Sequence, residues 1–87
     1  MQVGRLYTIS FKGDKPVEEL QAMKDQILSE ILEMEDVERA RFTDDPQALE
    51  IFTKDGEYSE VMNRIVNIAS REGDASLSFL RFVPVED

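Results

Sequence analysis

Cysteine and histidine are both missing from this chain of 87 residues. Without cysteine there is no disulfide, no thiolate metal site and no thiol nucleophile. Without histidine the commonest general base and the commonest transition-metal ligand are gone as well. No stretch approaches the roughly 18 consecutive apolar residues of a membrane-crossing helix, so direct membrane insertion is not expected. The opening MQVGRLYTIS lacks the apolar core and small-residue cleavage site of a signal peptide, which makes a cytoplasmic location the default expectation. Positive charge is scarce: 10 Lys and Arg stand against 19 Asp and Glu, a net charge of −9. Phosphate contacts need Lys and Arg, so no nucleic-acid partner is expected, nor an anionic membrane surface. On one reading the surplus acid only keeps a small protein soluble; on the sharper reading it meets a basic partner.

What is present is the composition of a folded domain. Hydrophobic residues make up 41% and charged residues 33%, which is the globular range, and residues 1–87 suffice for one domain with one core. The organising stretch is Pro16 to Glu35, where Leu20, Met23, Ile27, Ile31 and Met34 recur at spacings of three and four with Leu28 beside them. That is a single apolar stripe on a helix. Glu18, Glu19, Lys24, Asp25, Glu30 and Glu33 fall on the opposite face, which is expected to meet water. A second helix is expected over residues 57–72, with Tyr58, Val61, Met62, Ile65, Ile68 and Ala69 as its stripe. Asp55 is placed to cap its start, and Gly73 to stop it.

Between and around the helices the pattern alternates, as strands do. Arg5 to Lys12 sets Tyr7, Ile9 and Phe11 against Leu6, Thr8 and Ser10. Val37 to Thr43 turns Ala40 and Phe42 inward and Arg39 and Arg41 outward. Ala48 to Thr53 separates Leu49 and Ile51 from Glu50 and Phe52. Leu77 to Val83 is ambiguous. Placing Arg81 outside, because an unpaired buried guanidinium is costly, turns Leu80 and Phe82 inward and Leu77 and Phe79 outward. Asp44-Asp45-Pro46-Gln47 has the residue chemistry of a turn. The order β-α-β-β-α-β predicts an α+β, ferredoxin-like fold: a four-stranded antiparallel sheet with two helices on one face.

That arrangement leaves the other sheet face open, and on it the pattern collects Arg39, Arg41, Phe52, Phe79 and Arg81. Aromatics with arginine are the types enriched at interface centres, so these five are the candidate interface residues. In the alternative, arginine stems and Glu50 cover the aromatics and the face is merely solvated. An RNA-recognition domain shares the topology, but ALEIFT lacks the basic-Gly-aromatic signature and Thr8 and Ser10 stand where rings would stack. The loop Gly13-Asp14-Lys15-Pro16 has one glycine, an acid and a proline without an N–H, a poor phosphate cradle. The adjacent acids Asp44 with Asp45 and Glu86 with Asp87 read as solvated pairs. No catalytic constellation, metal site or cofactor motif is expected, and the chain reads as non-catalytic.

The segments GRLYTISFKGD, MEDVERARF and IVNIASREGDASLSFLRFVPVED together resemble the small accessory domain that follows the nucleotide-binding domain in some ABC-transporter ATPase subunits. In that family an extended strand leads into a Pro-containing acidic signature, typically E-P-S-L-E-D, and Pro84, Glu86 and Asp87 resemble a shortened form of it. Val83-Pro84-Val85 departs from the pattern. The resemblance implies a regulatory or assembling role. ATP hydrolysis would belong to another domain, so no catalytic residue carries over.

The expectation is thus an interaction or regulatory module that binds a protein through the open sheet face, as a homodimer or against a neighbouring domain. A small-ligand-sensing domain is the second class, though Gly13 alone is a slight signal for the ligand-admitting turn such domains use. An engineered scaffold without natural function is the third, and four methionines and an uneven last strand suit it poorly.

Overall fold

A computed structural model of the chain describes residues 3–43, 48–54 and 57–84. The elements are β1 (Val3–Phe11), α1 (Val17–Leu32), β2 (Val37–Thr43), β3 (Ala48–Thr53), α2 (Ser59–Gly73) and β4 (Ala75–Pro84). β1 pairs antiparallel with both β3 and β4, and β2 pairs antiparallel with β3. The sheet order is β2-β3-β1-β4. Each helix therefore carries the chain over one intervening strand, which is the split β-α-β plan of a ferredoxin-like α+β fold. β2 and β4 are the sheet edges. The turn expected at Asp44 to Gln47 and the acid pairs Asp44-Asp45 and Glu86-Asp87 lie outside the described residues.

Both helical stripes are spent on one side of the sheet. Ile27 and Ile31 of α1 and Val61, Ile65 and Ala69 of α2 pack with Tyr7, Ile9, Leu49 and Ile51 in a single cluster. Leu28, Met34, Met62 and Ile68 flank it half-buried. The acidic side of α1 is less uniformly wet than its pattern implies. Lys24 lies half-buried with its ammonium 5.4 Å from the Phe42 ring centroid, and Glu30 accepts an ion-pair hydrogen bond from Arg71 of α2.

Two helix ends differ from expectation. α2 opens at Ser59 with Tyr58 at the N-cap and no cap bond from the Tyr58 side chain; Asp55, the expected cap, lies outside the described residues. Glu57 Oε1 accepts from Ser59 Oγ at 2.8 Å and from its backbone N–H at 3.5 Å. At the other end the left-handed residue is Asp74, with φ 50° and ψ 41°, rather than Gly73. Gly73 is needed for space: a Cβ there would stand 2.9 Å from the Phe11 ring and 3.3 Å from Ile27 Cδ1. The left-handed well costs an L-residue about 1–2 kcal/mol, partly offset in Asp, while glycine's larger unfolded-state entropy works against the replacement. The exposed Lys12–Asp74 pair, at 3.9 Å, adds little. Asp74→Gly is expected to raise the unfolding free energy by about 0.5–1 kcal/mol in urea titration. A lower midpoint would show that the left-handed turn is unstrained.

Tyr58 anchors α2 to the sheet. Its hydroxyl donates to the Ile51 carbonyl at 3.1 Å in a buried position, and burial pushes its ionisation above the ordinary value of 10.0. Above that pH the unfolded chain loses this proton while the folded one keeps it, so stability is full below pH 10 and declines as pH climbs through the raised value. Tyr58→Phe is expected to cost about 0.5–1.5 kcal/mol at neutral pH and to make the alkaline decline shallower. Urea midpoints of both proteins at neutral and strongly alkaline pH measure this. An equally steep decline in the variant would assign it to other groups.

Candidate functional site

The sheet face turned away from the helices is built by alternation on the strands, and the register decides what meets on it. Arg39 stands opposite Phe52 and Arg41 opposite Glu50 across β2 and β3, while Arg81 stands opposite Leu6 across β4 and β1. This phase on β2 depends on a bulge. Val37 pairs with Thr53 and Arg39 with Phe52, leaving Glu38 as an extra residue, so Val37 enters the core while Arg39 turns outward. Arg41 Nε donates to Glu50 Oε1 at 3.0 Å. The Arg39 guanidinium lies 4.4 Å above the Phe52 ring centroid. These residues, with Arg81, Val83 and Pro84, border a shallow concavity of about 420 Å³.

Four of the five residues expected at the interface are therefore brought together: Arg39, Arg41, Phe52 and Arg81. Phe52, however, is not an exposed hydrophobe. It is only 4% accessible, and Leu6 beside it 3%. The cause is Gly4 on the adjoining strand. Ring carbons of Phe52 stand 2.5–2.8 Å from the point where a Cβ of residue 4 would be. The ring thus packs against bare β1 backbone with the Arg39 guanidinium over it, an aromatic filling the space a strand glycine leaves. Gly4 stands one residue before the alternating stretch that begins at Arg5, and a glycine beside a strand pattern was the available signal.

Phe79 does not belong to this face. It stands opposite Tyr7, on the helix side, with ring centroids 5.7 Å apart in an edge-to-face contact. The pairing of β1 with β4 shifts between Leu6 and Tyr7: Leu6 meets Arg81, Tyr7 meets Phe79, and Leu80 is the extra residue. The bulge reverses the strand's phase, so Ala75, Leu77 and Phe79 share a side with Phe82, where plain alternation would separate them. Leu77, expected outside, packs against the core. Leu80 and Phe82, expected inside, are 42% and 58% exposed. Phe82 has the expected side but lies beyond the helices' cover.

The same end of the sheet holds Arg5, which no sequence pattern marks. Its guanidinium lies 4.3 Å from the Tyr58 ring centroid, 5.6 Å from Phe82 and 5.9 Å from Phe79, the geometry of a stacked cation. Its Nε is buried without a hydrogen-bond partner among the described residues.

Among the described residues no cluster of acids is arranged to hold a metal ion, and no helix is long and apolar enough to cross a membrane. The fold and face together define a ferredoxin-like domain with an arginine-lined open sheet. Neither a family model nor a curated protein matches the chain. Among solved structures, the X-ray structure of protein SP2199 from Streptococcus pneumoniae is similar at 15% identity with a TM-score of 0.57, over 93% of this chain and 87% of that one. At that identity the likeness concerns the fold.

Proposed function

We propose that this chain is a non-catalytic interaction or regulatory module whose open sheet face receives an acidic protein surface. The single observation that carries the reading is the gathering of Arg39, Arg41 and Arg81 around one concavity in a chain of net charge −9. Planar guanidinium groups bind carboxylates in a bidentate fork. Arg39 is already held in place by the ring beneath it, so less side-chain freedom is lost when an acid docks. Phe52 serves as the platform under Arg39 and not as an apolar anchor.

Of the two occupants, a neighbouring acidic domain or chain fits better than a second copy placed face to face. Face-to-face pairing would set two arginine clusters against each other, and like charges across an interface are costly. An accessory role beside an ATPase domain, as the resemblance implies, is one setting for such a partner. A small carboxylate or phosphate ligand is the runner-up, favoured by the concavity itself.

A glutamate-rich peptide of about ten residues is the probe. It is expected to shift the backbone amides of β2 and β4 in nuclear magnetic resonance titration, and Arg39→Glu with Arg81→Glu should weaken it more than tenfold. Raised salt should weaken binding too, because the charges are exposed. Shifts confined to the helices, or affinity unaltered by the double reversal, would remove the proposal. Stabilisation by free amino acids or nucleotides in a thermal-shift screen, with none from the peptide, would move the assignment to the small-ligand class.

A further inference from the structure

The two edges of the sheet are defended unequally. β2 carries Glu38, Arg39 and Arg41 along its seven residues, and its bulge falls at the strand's start. Charge of this kind is how edge strands avoid pairing with other chains. β4 runs for ten residues, ASLSFLRFVP, with one charge, Arg81, and no acid. In so acidic a chain, this is an edge that a second copy can approach without meeting a carboxylate on the strand. Phe79, Leu80 and Phe82 are exposed along it at 50%, 42% and 58%.

The mid-strand bulge adds a symmetry that points to the occupant. By register with β1, Leu77, Phe79 and Phe82 lie on the helix side, and Ser78, Arg81 and Val83 on the open side. Read outward from the point between Leu80 and Arg81, the sides beyond these two central residues run in the same order in both directions. Phe79 mirrors Phe82, and Ser78 mirrors Val83. Two antiparallel strands must place directly opposed residues on one face of the joint sheet. Without the extra residue, an axis between two adjacent residues would oppose side chains of opposite faces.

We propose that β4 pairs antiparallel with β4 of a second copy of this chain, about a two-fold axis between Leu80 and Arg81. Phe79 of each copy then stands across from Phe82 of the other, giving two aromatic cross-strand pairs on the helix side. The contact is isologous and closes as a dimer. It uses a surface separate from the arginine face and does not rest on that face's role. It joins two such faces on one side of a continuous sheet.

The contact is short, so association belongs to the weak class of interfaces. Sedimentation of the full chain from about 1 μM to about 1 mM is expected to show the mass rising from 10.0 kDa towards double. Leu80→Lys adds a cation beside the partner's arginine at the axis. At this exposed position it should leave the circular dichroism unchanged and hold the protein monomeric at the same concentrations. Because the native chain has no cysteine, single cysteines report position cleanly. Leu80→Cys should oxidise to a covalent dimer at least tenfold faster than Asn63→Cys on the exposed side of α2. A mass that stays at the monomer value at the highest concentration overturns the proposal, as does association that survives Leu80→Lys. Equal oxidation rates for the two cysteine variants overturn it as well.

Discussion

Phe52→Ala is expected to lower the unfolding free energy by about 3–5 kcal/mol, as much as truncation of a phenylalanine in the enclosed core. By sequence pattern this residue sits on the solvent face of the sheet, where truncation would cost a fraction of that. Its 4% accessibility decides the matter. The ring packs against Gly4 and has the Arg39 guanidinium over it, and alanine would strip both contacts. Gly4→Ala tests the same packing from below. Its Cβ would meet ring carbons at 2.5–2.8 Å, an overpacking worth roughly 1–3 kcal/mol. In the Phe52→Ala background that clash has no partner, so the two costs should fall short of additive by about the same 1–3 kcal/mol. Guanidinium denaturation of the four proteins gives the cycle. Strictly additive costs would mean that the ring does not rest on residue 4. For function, the consequence is that Phe52 substitutions unfold the domain before they report on binding, and the arginines are the cleaner probes.

Ile65→Ala is expected to cost about 2–5 kcal/mol. Ile65 is fully buried at the centre of the cluster where α2 meets α1 and the sheet, so the vacated space has walls on every side. The neighbouring Val66 is 44% exposed, and Val66→Ala should stay within about 0.5 kcal/mol. A domain of this size has about 5–13 kcal/mol in total, so the first change consumes a large part of it and the second almost none. Urea unfolding of the pair reads the helix's phase directly. Similar losses at both positions would place the apolar stripe elsewhere on α2.

The element order, both helical stripes and the phases of β1, β2 and β3 were legible in the residues. Each rests on local repetition: a helix brings every third or fourth side chain to one line, and a strand every second to one plane. The candidate site was legible to the same degree, since Arg39, Arg41 and Arg81 share a face by alternation and charge alone. On the strands the exceptions are bulges: the extra residue Glu38 brings Val37 into the core against the alternation of β2. Leu77 and Phe79 were set on the wrong side because an extra residue at Leu80 reverses the phase of β4, and nothing within LSFLRFV marks where that residue falls. It is settled by which residues of β1 the strand pairs with.

What the sequence by itself determined, then, is the β-α-β-β-α-β order, the single helical layer and the arginine-bearing face, because periodicity and charge belong to neighbours along the chain. Tertiary structure alone decided that Phe52 is enclosed over Gly4, that Arg5 stacks on Tyr58, and that Phe79 and Phe82 share one side of an exposed edge. Those facts depend on strand register and on the absence of a Cβ in an adjoining strand, and contacts between residues distant in sequence set both.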